Sequence, residues 1–189
     1  LEDFRVNLLL SFIAVYLVTL AGIAHADNPS ALARELEQML DADQMIRREI
    51  REEEAAPGPD SKKIEALWEK QSALDAANIV RLREIVDATG WPRISIVGEK
   101  AALAAFLVVQ HADPSHQKAL IELLRVEARR GEVKLSSLAL LEDRILTSEG
   151  KPQIYGSQLR RSPETNKLEF FPIEAPESVN ARRASVGLE

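Results

Sequence analysis

The chain has 189 residues, no cysteine, 24 basic and 30 acidic side chains, and a formal net charge of −6. The lack of cysteine excludes disulfides, thiol catalysis, cysteine-based zinc sites and a lipid anchor on cysteine. The acidic balance argues against a nucleic-acid partner, which requires a basic face; the arginine doublets Arg129-Arg130, Arg160-Arg161 and Arg182-Arg183 stand isolated among acids.

Residues 8–24 carry no charge, follow a lone Arg5, and end in Ala24-His25-Ala26. Small residues at −3 and −1 before Asp27 fit a cleavable signal peptide over residues 1–26. The alternative is an uncleaved membrane anchor, for which this run is short against the roughly 20 residues that span a bilayer. Cleavage removes Arg5, Glu2 and Asp3, so the chain from Asp27 onward carries a net charge of −5. Residues 27–189 suit one domain with a single core, placed in the periplasm or secreted.

Five helical patterns follow. Residues 30–55 put Leu32, Leu36, Met39, Ile46 and Ile50 on one stripe, with Ser30 as N-cap and Pro57-Gly58-Pro59 as the stop. Residues 61–89 turn Ile64, Leu67, Leu74, Leu82 and Ile85 inward, and Gly90 followed by Trp91-Pro92 ends them. Residues 99–111 are apolar on nearly every face, as a central helix wrapped by others would be. Asp113-Pro114 reads as an N-cap with proline at N1, opening a fourth helix that ends near Arg130-Gly131. The fifth, over 133–148, points Leu135, Leu138, Ala139 and Ile145 inward and stops at Gly150. Beyond it, residues 153–160 and 167–173 flank a turn at 162–166 and predict a β-hairpin, followed by a short helix over 175–186. The expected fold class is mainly α: a five-helix bundle around a central apolar helix, with a small C-terminal β-hairpin and a short last helix.

Polar residues that interrupt apolar stripes mark a candidate site. The first stripe steps through 32, 36, 39, 43, 46 and 50, and position 43 is Asp. An unpaired buried carboxylate is costly, so Asp43 needs a function or a partner, and Arg47 one turn later offers an i,i+4 pair. On the second helix Asn78 sits between Leu74 and Leu82, while Asp75 shares a side with Trp68, Ile79 and Val86. Buried hydrogen bonding that fixes helix register is the commoner use of such residues. Gln110-His111 closes the central helix, where the dipole favours a protonated imidazole. His111 and His116 are the histidines beyond residue 26, and histidine titrates near neutral pH. With Asp113 they straddle a helix break without regular ligand spacing, so no metal and no cofactor is expected. Asp143-Arg144 ends the fifth helix. Gln153, Tyr155 and Gln158 lie along the first hairpin strand, where Gly156 suggests close approach of a ligand or another backbone; an ordinary edge strand is the alternative. No G-x-S-x-G, phosphate loop or H-E-x-x-H occurs.

These residues fall within a series of short motifs along the chain. In order they are Asp43-Gln44…Arg47, Asp75…Asn78, Gly90-Trp91-Pro92…Val97-Gly98, Gln110-His111-Ala112-Asp113 and Asp143-Arg144, then Gly150-Lys151-Pro152-Gln153-Ile154-Tyr155-Gly156-Ser157-Gln158 and Arg182-Arg183…Gly187-Leu188. The series resembles a bacterial family of unknown function, domain of unknown function 6624, over nearly the whole chain beyond residue 26. The family commonly has Thr where this chain has Ser157, which keeps the hydroxyl. The resemblance implies relatedness rather than a reaction, and it implies one shared polar cluster that would suit a small-molecule pocket.

Two functions are open at this point. One is an exported binding or structural module of the cell envelope, with Asp43, Arg47, Asp75, Asn78, Gln110, Gln153, Tyr155, Gln158 and Arg183 as ligand-binding residues. Its partner would be a small molecule or an envelope protein, with membrane contact only through an uncleaved signal segment. The other is a small hydrolase- or transferase-like enzyme with His111, Asp143 and Arg144 as catalytic residues. There His111 acts as general acid/base oriented by Asp43 or Asp143, and Arg144 or Arg47 holds an anionic group. His111, Asp143, Arg144, Tyr155 and Gln158 are expected to converge in one pocket, which requires a twist or bulge at Gly156.

Overall fold

The computed structural model describes residues 28–189, so the expected signal peptide lies outside the described residues. Helix α1 (Pro29–Glu54) starts earlier than its periodicity suggests, because Asn28 rather than Ser30 is its cap. The Asn28 side chain accepts from Ser30 N at 3.1 Å and Ala31 N at 3.2 Å. Pro29 then takes the first helical position, where its missing N–H is no loss. The buried stripe is Leu32, Leu36, Asp43, Ile46 and Ile50, so the register inferred from the sequence holds, carboxylate included. Helix α2 (Ser61–Thr89) is capped by Asp60 and ends at Gly90, whose φ of +80° suits glycine.

A single helical turn, α3 (Ile94–Val97), precedes α4 (Glu99–His111) and is too short to show a period. Helices α5 (Pro114–Arg129) and α6 (Leu135–Ser148) complete the long elements. Helix α4 packs against α1, α2, α3 and α5, burying Ala101, Ala104, Ala105 and Val109 at its centre. Its alanines let the neighbouring backbones approach closely, which makes it the expected central helix. Helix α6 packs chiefly on α5, and Leu141 carries it into the shared core. The arrangement thus differs from a simple five-helix bundle: α1, α2 and α4 form one group, and α5 with α6 is added to it as a pair. No helix among the described residues is long and apolar enough to cross a membrane.

The C-terminal part holds β1 (Leu159–Arg161) and β2 (Leu168–Phe170), antiparallel, with Leu159 opposite Phe170 and Arg161 opposite Leu168. A 3-10 turn at Pro176–Ser178 leads into α7 (Val179–Ser185). Both strands are shorter than the 153–160 and 167–173 predicted from the sequence. Residues 154, 155 and 157 point their N–H groups at the Asp143 carboxylate instead of a ladder partner. Gln153 keeps only an isolated parallel bridge to Ile173.

Candidate functional site

Asp43 is 5 % exposed and stands at the centre of a polar network built by three helices. On its own helix α1, Arg47 Nε donates to Asp43 Oδ1 at 2.8 Å and Gln44 Nε2 donates to Oδ2 at 2.8 Å. From α2, Gln71 Nε2 donates to Asp43 Oδ1 at 2.8 Å and to Asp75 Oδ1 at 2.9 Å. Arg47 Nη2 reaches the Asp75 oxygens at 3.2 and 3.0 Å, tying α1 to α2. The last residue of α4 completes the group, with His111 Nδ1 3.2 Å from Asp43 Oδ1. Helical spacing explains the local part: Asp43 with Arg47, and Gln71 with Asp75, are i,i+4 neighbours on their helices.

The two carboxyls respond in opposite directions. Burial alone would raise Asp43, but the hydrogen bonds and charges of His111 and Arg47 outweigh it and hold the group at about 2 against an ordinary 3.8. Asp75 is raised, because burial outweighs the help of Gln71 and Arg47 and the nearby Asp43 charge works against it. Asp43 therefore stabilises the fold above its unfolded-state value of 3.8, and that contribution is lost as pH falls through about 2. The difference corresponds to about 2 kcal/mol. Asp75 has the opposite sign, its contribution weakening as pH rises through the carboxylate range. We expect Asp43→Asn to flatten the acid limb of the stability curve between about pH 4 and pH 2, measured by urea unfolding. An unchanged slope would show that Asp43 is not held ionised.

His111 forms one edge of a cleft of about 270 Å³ that opens between α2 and the corner joining α4 to α5. Trp68, Gln71, Asp75, Asp113 and His116 line it too. Asp113 occupies the N-cap position of α5 as expected, but its side chain makes no capping hydrogen bond. A smaller void behind His111 is bordered by Asp43, Asp75 and Asn78, which places Asn78 beside the network rather than in the open cleft.

Other residues of the predicted site form a second polar group that does not border this cleft. Asp143 is fully buried, and its carboxylate accepts from Ile154 N at 2.7 Å, Tyr155 N at 3.0 Å and Ser157 N at 3.0 Å. Both Asp143 oxygens hold the 154–157 loop, and Asp143 does not line the cleft at His111. Gln153, also fully buried, donates to Gln158 O and Phe171 O at 3.0 Å each and accepts from Gln158 N at 2.8 Å. Tyr155 O accepts from Arg183 Nη1 at 3.0 Å, and the Gln158 side chain donates to Ser157 Oγ at 3.0 Å. The space beside Gly156 is filled by its own chain: a Cβ there would meet Ile173 Cδ1 at 3.1 Å. Gln153, Tyr155, Gln158 and Arg183 thus clip the hairpin to α7, and among the described residues the cleft at His111 is lined by none of Asp143, Tyr155 and Gln158. Gln110 is buried; its backbone carbonyl accepts from Gln117 Nε2 at 3.1 Å, and its side-chain oxygen has no donor among the described residues. Arg144 is half-buried: burial lowers its pKa, the Arg47 charge adds to that, and its buried Nε has no acceptor among the described residues.

A family model described as a family of unknown function, DUF6624, matches residues 30–189. The chain belongs to that family. No curated protein and no solved structure matches it.

In this DUF6624 domain the sequence reading missed Gln71, which is 1 % exposed and bonds both acids. A signal was present: Leu67, Gln71, Asp75, Asn78, Leu82 and Ile85 follow one helical stripe, and Gln71 precedes Asp75 by one turn. Asp43, Asp75 and His111 also bring possible metal-ligand atoms within 4.8 Å of one another. Arg47 and Gln71 already donate to those carboxylates, so a divalent cation would have to displace a guanidinium hydrogen-bonded to both acids.

Proposed function

We propose that this DUF6624 protein is an exported module of the cell envelope that binds a small polar molecule in the cleft beside His111. The observation that carries the binding reading is the cleft itself. It is open to solvent, and along its inner wall Gln71, Asp75 and His111 are held in place by Asp43 and Arg47. Side chains positioned before a ligand arrives lose little freedom on binding it. The export half rests on the apolar run before Asp27 and its small-residue cleavage pattern. Mass spectrometry of periplasmic protein should find Asp27 as the N-terminus; recovery from membranes with residues 1–26 intact would reverse this.

The binding test is a thermal-shift screen of the mature protein against metabolites and cell-wall fragments, since a ligand raises apparent stability by mass action. Ala76 lines the cleft and is exposed, so Ala76→Trp fills the cleft without entering the core. Hits should disappear in that variant, and hits that persist would place binding elsewhere.

One contact favours a second reading, a small hydrolase- or transferase-like enzyme. Asp43 engages His111 Nδ1, which orients the ring and leaves Nε2 as the nitrogen available to a molecule in the cleft. A hit consumed by the wild type, with turnover about 10²–10⁴-fold slower in His111→Gln, would make the protein an enzyme. Binding without turnover supports the module. No divalent metal is assigned to either reading, because the acids are already bonded to Arg47 and Gln71. Metal analysis after dialysis against zinc checks this, and stoichiometric zinc that depends on His111 is the contrary result.

A further inference from the structure

We infer that Arg144 on α6 is the anchor of a binding site for a carboxylate group. Arg144 does not line the cleft beside His111, so this site is independent of the reading above. A guanidinium is costly to bury unless acceptors meet it, and the other half-buried arginines among the described residues obey that rule. Arg47 donates to Asp43 and Asp75, Arg81 to Glu35, Arg93 to Glu127 and Arg125 to Glu142. Arg182 and Arg183 donate to the carbonyls of Ile154 and Tyr155. Arg144 is the exception, a half-buried arginine whose side chain has no acceptor among the described residues. Its own helix supplies none: the positions three and four residues away on either side are Leu140, Leu141, Thr147 and Ser148. The adjacent Asp143 has both oxygens on the 154–157 loop.

An arginine can bury its stem and keep its head in water. Here Nε is enclosed, so part of the charged head lies inside the protein as well. Nη1 and Nη2 are not enclosed and have no partner, and they form the edge that a ligand reaches. Burial lowers the Arg144 pKa, and the like charge of Arg47 lowers it further. Arg47 also keeps Nη1 free, since its Nε and Nη2 take up the two acids. An anion on the open edge of Arg144 would offset both the burial and the repulsion. Two N–H groups side by side match two equivalent oxygens. Asp43 and Asp75 already meet Arg47, so one positive charge is left, and a carboxylate carries one negative charge. A phosphate dianion would bring a second negative charge toward those acids.

The test titrates the mature protein with acetate, with neutral acetamide and with inorganic phosphate, at constant ionic strength in a chloride background. Binding is read by thermal shift and calorimetry in the wild type, Arg144→Gln, Arg144→Lys and Ala76→Trp. Acetate should bind more tightly than phosphate, and acetamide should not bind. Arg144→Gln should weaken acetate binding at least about tenfold, the loss expected of charge-assisted hydrogen bonds. Arg144→Lys keeps the charge without the paired edge and should bind acetate more weakly than the wild type. Ala76→Trp, which fills the cleft, should leave acetate binding unchanged. Without any probe, Arg144→Gln should melt no lower than the wild type, because it removes a charge that the fold leaves unmatched. A melting temperature lower by more than about 4 °C would overturn the inference, since the guanidinium would then serve the fold. Acetate binding that survives Arg144→Gln, or that is lost in Ala76→Trp, would place the anion elsewhere and overturn it too. Tighter binding of phosphate than acetate would overturn the carboxylate, and so would the absence of any acetate effect; neither result touches the metabolite screen of the cleft.

Discussion

Asp43→Ala should lower the unfolding free energy by about 3–5 kcal/mol, as expected when one partner of a buried ion pair is removed. Arg47 would keep only Asp75, Gln71 Nε2 would lose one of its two acceptors, and Gln44 Nε2 and His111 Nδ1 would lose the carboxylate they share. The helices of the first group would then meet across a half-buried guanidinium with one acid instead of two. Asp43→Asn keeps the shape and one acceptor oxygen, so its loss should be smaller. Urea unfolding of the two variants checks both statements. A change within about 0.5 kcal/mol in Asp43→Ala is the behaviour of a surface site and would contradict the burial of this carboxylate.

Asp143→Ala should be comparably damaging, by about 3–5 kcal/mol, and its damage should be local. Three backbone amides in the 154–157 loop would lose a charged acceptor, and hydrogen bonds to charged groups contribute about 1.5–3 kcal/mol each. Their sum is an upper bound, since the opened loop can turn some of these amides to water. Hydrogen exchange should rise at Ile154, Tyr155 and Ser157 and spread through the hairpin to α7, while α1, α2 and α4 keep their protection. Retained protection at those three amides would mean that Asp143 does not hold the loop. Ligand binding in the His111 cleft should survive the substitution, because Asp143 does not line it. If cleft binding were lost with the fold intact, the two polar groups would have to be one site after all.

The contrast between Asp43 and Asp143 separates what was legible along the chain from what was not. The register of α1 was readable because burial repeats every three to four residues, and a lone Asp in an apolar stripe is conspicuous. Its i,i+4 partner Arg47 was readable for the same reason, and so were the apolar centre of α4, the glycine stop at Gly90 and the proline start of α5. All of these depend on neighbours within one or two helical turns. The strand Gln153–Tyr155–Gln158 was misread because alternation alone cannot say whether an N–H faces a neighbouring strand or a carboxylate brought from another helix. Gly156 left room for a ligand or another part of the chain, and the side chain of Ile173 is what fills it.

Local periodicity and capping chemistry thus set the helices, their buried faces and the polar positions that could not be left unpaired. Which polar residues met was decided only when the helices packed. Arg47 joins Asp75 from 28 residues away, and Asp43 meets His111 because the end of α4 is delivered to the middle of α1. Hydrogen bonds between helices depend on where rigid elements cross. That crossing is set by the packing of Leu36, Leu82, Ala105 and Val109 in the shared core, whose fit is a property of several segments at once.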